Sequence, residues 1–76
     1  MAEQRRDDPQ TVVVRFLLER IRQDKYPSIT QMSLLEEMLP ASMRPQYLNI
    51  LLEKAASTPT PSVSMLRRIQ QIAQQI

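Results

Sequence analysis

The chain has no glycine, no cysteine, no histidine and no tryptophan, and each absence removes a class of chemistry. Loops that cradle phosphate need glycine where the backbone turns sharply or approaches a ligand closely. Neither a Walker-type loop nor a dinucleotide fingerprint can therefore be built from these residues. Without cysteine or histidine there is no disulfide and no zinc site. The commonest general base and the most reactive nucleophile are missing as well. The sequence therefore reads as non-catalytic, with no catalytic, cofactor-binding or metal-ligating residue to nominate. Zero cysteine assigns no redox compartment, but it excludes the small secreted domains held together by disulfides.

Long apolar runs are also lacking. No segment approaches the roughly 18 apolar residues that span a bilayer, and the opening stretch MAEQRRDDPQ is charged where a secretory leader would be apolar. A soluble cytoplasmic protein is the expectation. Ten Lys and Arg against eight Asp and Glu leave a net charge of +2. That is too slight a basic excess to point to nucleic acid by charge alone. A chain of 76 residues buries only about 60 to 65% of the surface its unfolded form exposes, so its stability must come from packed helices.

What is present is helical. Apolar residues recur at helical spacing throughout, and no stretch alternates as a half-buried strand would. The expected organisation is a disordered tail over 1–7 and a single helical domain over 8–76. Its helices should span about 9–24, 29–39, 43–57 and 63–75. Asp8 before Pro9 is a helix start. Pro27 extends Tyr26 and closes the first helix. Ser28 and Gln31 fit a capping box for the second. Pro40 stops that helix, Ser42 is the expected cap of the third with Pro45 in its first turn, and Ser62 caps the fourth.

A shift of 34 residues aligns the halves without a gap. Leu17-Leu18-Glu19-Arg20 falls on Leu51-Leu52-Glu53-Lys54, Pro27-Ser28-Ile29 on Pro61-Ser62-Val63, and Met32, Leu35 and Met38 on Leu66, Ile69 and Ile72. The expected fold is all-α: a compact four-helix bundle of two tandem αα-hairpins related by a 34-residue pseudo-repeat, each hairpin covering the other's apolar face. Tetratricopeptide arrays share this period. Their aromatic, Leu-Gly and Ala positions are unmatched here, and two units are too few for a solenoid.

Function is sought where the apolar pattern exceeds what one core needs. In the first helix Val13, Val14, Leu17, Leu18 and Ile21 make one face of about 140°, with Val12 and Phe16 beyond it. The third helix repeats this with Tyr47, Leu48, Leu51, Leu52 and Ala55, and with Ile50 in the place of Phe16. Leu34 occupies the place of Arg68, and Tyr26 lies in a loop. Val12, Phe16, Leu34, Ile50 and Tyr26 are thus the candidate protein-interaction residues. The bland reading buries Phe16 near Ile50 between two central helices. The sharper one exposes a patch for another protein or for a second copy, a homodimer being the simplest case.

The fourth helix is amphipathic. Met65, Leu66, Ile69, Ile72, Ala73 and Ile76 fall within about 120°, opposite Arg67, Arg68 and four glutamines. Arg67, Arg68, Gln71 and Gln74 are the candidate nucleic-acid contacts of an alternative helix-turn-helix reading, because Arg and Gln pair bidentately with guanine and adenine. The Pro-containing turns and the want of a basic cluster for phosphates weigh against it. Membrane-surface binding ranks third, since this helix carries only two basic residues. Glu36 and Glu37 point about 100° apart and form no catalytic pair. The hydroxyls of STPTPS, although placed like phosphorylation targets, are accounted for by a turn and a cap. A small interaction module is the leading expectation.

Overall fold

Helices in this protein begin where a side-chain oxygen meets an otherwise unpaired backbone N–H. In the computed structural model, which describes residues 8–76, Asp8 accepts from the Thr11 N–H at 2.8 Å, Ser28 from Gln31 at 3.0 Å and Ser62 from Met65 at 3.0 Å. These caps start α1 (Pro9–Gln23), α2 (Ile29–Met38) and α4 (Val63–Gln74). With α3 (Arg44–Ala56) and a 3-10 turn over Ala41–Met43, they are all the regular structure among the described residues. The protein is all-α, with four α-helices and no strand in that range. The expected tail over 1–7 lies outside the described residues.

Two local expectations need correction. Ser42 does not cap α3. It lies inside the 3-10 turn, and the residue at the N-cap of α3 is Met43, which makes no side-chain capping bond. Pro45 supplies the reason. The Ala41 carbonyl would ordinarily accept from the amide four residues on, but proline has no N–H. The Arg44 N–H takes that carbonyl instead, three residues on, and a 3-10 turn results. The capping box at Ser28 is also only half made. Ser28 caps, whereas the buried Gln31 Oε1 has no hydrogen-bond partner.

The chain divides into two units between Met38 and Leu39. In the first, α1 packs against α2. Gln10 Nε2, in the first turn of α1, donates to the Met38 carbonyl at the end of α2 at 3.3 Å, so the two helices run antiparallel. In the second unit α3 packs against α4. Here Arg44 Nη1, at the start of α3, reaches the Gln75 carbonyl beyond α4 at 3.5 Å, and the antiparallel sense is the same. In each hairpin the opening turn of one helix supplies a donor to the unpaired carbonyls that close the other. The cation in the second also complements the negative end of the α4 dipole.

Burial separates the hairpins. The first buries Val14, Leu17, Leu18, Ile21, Met32 and Leu35. A shift of 34 would carry Val14, Leu17 and Leu18 to Leu48, Leu51 and Leu52, but the second hairpin buries Tyr47, Ile50 and Leu51, which lie 33 residues on. The same step takes buried Met32, Leu35 and Leu39 to Met65, Arg68 and Ile72, which are half-buried, half-buried and buried. Caps thus recur at 34 and inward-facing positions at 33. One residue is about 100° of helix rotation, enough to move a neighbouring face inward. The face of α3 that turns in carries Tyr47, the one aromatic side chain of that helix. It removes more apolar surface from water than the Leu48, Leu52 and Ala55 face would.

Candidate interaction surface on α1 and α4

That rotation decides which apolar residues stay outside. On α1, Val12 and Phe16 lie one turn apart on the outer side, with Val13 beside them. Phe16, the chain's single phenylalanine, is 62% exposed and Val12 54%. Residues four apart in a helix touch along one face, so the three side chains form a single apolar patch. Its cover against solvent is minimal in the middle of a helix whose opposite side is fully buried.

Leu34 is exposed on α2, and Tyr26 is exposed in the loop before α2. The Lys25 ammonium sits 5.6 Å from the centroid of the Tyr26 ring, a cation–π contact that occupies one face of it. Ile50 departs from the expected set. It is 5% exposed and belongs to the buried face of α3, so it offers nothing to a partner. Phe16 and Ile50 occupy equivalent slots at a shift of 34, yet one is outside and the other inside. Of the five candidate interaction residues the structure keeps four on the surface, and of these only Val12 and Phe16 adjoin one another along a helix.

Sequence reasoning missed Leu52 and Leu66. Both were assigned to buried faces, and both are exposed. In α4 the apolar arc is split along its length. Ile72 is buried, Met65 and Ile69 are half-buried, and Leu66, Ala73 and Ile76 lie open. A signal was present at a shift of 33, where Leu52 corresponds to Glu19 and Leu66 to Ser33, both polar positions of the first hairpin.

The polar face of α4 is divided too. Arg67, Gln71 and Gln74 are exposed together, whereas Arg68 is turned inward and half-buried at the place corresponding to Leu35. The pair of arginines proposed as joint nucleic-acid contacts therefore does not share a face.

Charges around the α1 patch are ordered by local bonds. Glu19 accepts from Arg22 through Nε at 3.2 Å and Nη2 at 2.6 Å, and from Gln23 at 2.7 Å. The bonds from Arg22 and Gln23 hold the Glu19 carboxyl below its ordinary pKa. At the helix start, the Thr11 backbone N–H does the same for Asp8. Among the described residues no group of three or more acidic side chains is gathered as a metal site. None of their helices is long and apolar enough to cross a membrane.

Compared with protein-family models, with curated proteins and with solved structures, the chain matches none.

Proposed function

We propose that this chain is a small, non-catalytic interaction module that binds another protein, or itself, through apolar surface on α1, with α4 as a second contact. One observation carries the reading: Phe16 is 62% exposed beside exposed Val12 at the centre of α1. A phenylalanine left in water forgoes about 2 kcal/mol of burial. An exposed aromatic with a neighbour at i−4 is the kind of anchor that helix-mediated interfaces use. The absence of histidine, cysteine and glycine from the sequence supports the non-catalytic part. A cytoplasmic location accompanies this proposal.

Capture by the native chain beside a Phe16→Ala variant tests it. Because Phe16 is exposed, the variant should keep its helicity and its unfolding midpoint to within about 0.5 kcal/mol while losing its partner or its self-association. Equal binding by both proteins would remove α1 as the site.

The helix-turn-helix alternative now rests on Arg67, Gln71 and Gln74 alone. Binding to duplex DNA that weakens with added salt and is lost in Arg67→Glu would favour it over protein recognition.

A further inference from the structure

Four residues of α1 recur at every fourth position, and all four are exposed: Asp8, Val12, Phe16 and Arg20. Side chains four apart stand one above the next, so they form one oblique ridge about 18 Å long. Along the ridge the order is acid, apolar, apolar, base. Turned end for end it reads base, apolar, apolar, acid. Such a ridge is complementary to itself when two copies run antiparallel.

We propose that the partner of this ridge is a second copy of the chain, paired about a two-fold axis that crosses α1 near Val14. The inference rests on the reading of α1 as an interaction surface and specifies its occupant. In this register Val12 of each copy packs beside Phe16 of the other, and Asp8 at one end meets Arg20 of the second copy at the other. Both charged ends are satisfied twice, because a two-fold interface repeats each contact. Rows of residues four apart interdigitate at a crossing angle of about −50°, the commonest way two helices pack.

The ridge is particular to α1. Its counterpart in α3, Ser42, Gln46, Ile50 and Lys54, has no acid and has Ile50 buried. The row Ser62, Leu66, Gln70 and Gln74 along α4 carries no charge at all. A contact of one helix per copy falls at the small end of specific interfaces, so the dimer is a weak one that forms with concentration and weakens with salt.

Charge exchange between two variants tests the register. In Arg20→Glu both ends of the ridge are acidic, and in Asp8→Lys both are basic. Each variant alone should dimerise about tenfold more weakly than the native chain at low salt, measured by sedimentation over a hundredfold concentration range. An equimolar mixture should recover dimers close to native affinity, because in the mixed pair every end meets the opposite charge. Circular dichroism reports whether Asp8→Lys, which removes a cap, stays helical. If it does not, Asp8→Asn keeps the cap and takes its place in the mixture, with a smaller recovery. Dimers indifferent to all these changes would overturn the register while leaving self-association standing. A native chain that stays monomeric would overturn the second copy as occupant, and Phe16-dependent capture of a different protein would then leave only the broader reading in place.

Discussion

At the scale of single residues, Asp8 and Phe16 show how little of a side chain's role its type decides. Asp8 is a cap because its carboxylate accepts the Thr11 N–H, and that bond lowers its pKa below 3.8. Glu19, also on α1, is held below 4.5 by Arg22 and Gln23. A carboxyl whose folded pKa is depressed stabilises the fold fully above its unfolded value and loses that contribution as pH falls through the folded one. Thermal stability should therefore be flat near neutrality and should decline as pH drops below about 4. Asp8→Asn retains a capping oxygen that does not titrate. It should show a shallower acid decline in melts followed by circular dichroism at pH values on either side of that range. An identical decline in both proteins would mean that the Asp8 bond contributes nothing to acid sensitivity.

At the scale of elements, a chain without glycine must end its helices without the left-handed residue that commonly closes them. Asp24, Ser57 and Gln75, the C-caps of α1, α3 and α4, all keep negative φ, at −77°, −89° and −89°. At the end of α3 two hydroxyls take over. Ser57 Oγ and Thr58 Oγ1 both donate to the Lys54 carbonyl, at 3.1 and 2.8 Å. Helix starts follow side-chain chemistry only where the backbone is extended enough for a cap, as at Ser62 with ψ of 153°. Ser42, inside its 3-10 turn, is not so placed. Ser62→Ala should cost about 1 kcal/mol and Ser42→Ala no more than about 0.5, as read from urea unfolding midpoints. Equal costs would show that the hydroxyl of Ser42 is used after all.

At the scale of the whole molecule, the two hairpins share a plan and differ in phase. Their caps keep a step of 34 residues, Ser28 to Ser62, while their buried positions keep a step of 33, Leu18 to Leu51. The consequence is measurable at the residues a strict repeat would treat alike. Leu18 is 3% exposed and Leu52 is 45% exposed. Leu18→Ala should destabilise by about 2 to 5 kcal/mol, enough to unfold so small a chain under mild denaturant. Leu52→Ala should fall within about 1 kcal/mol, since little is lost when an open side chain is shortened. Similar losses at both positions would restore the 34-residue repeat of the core.

The amino-acid order by itself determined the helical class, the four helices to within a residue or two at each end, and the caps at Asp8, Ser28 and Ser62. These depend on bonds within one turn and on proline's missing N–H, both of which are local. It also marked Phe16 and Val12 as lying outside the main apolar face of α1, because five other residues already filled that face. Only the tertiary structure decided that Ile50, in the equivalent slot, goes inside and that Leu52 and Leu66 stay out. The apolar arc of α3 is wide enough to be buried in more than one rotation, about 100° apart. Which rotation wins depends on the area removed from water when Tyr47 turns in, and that is settled by packing between helices, a quantity no local pattern contains.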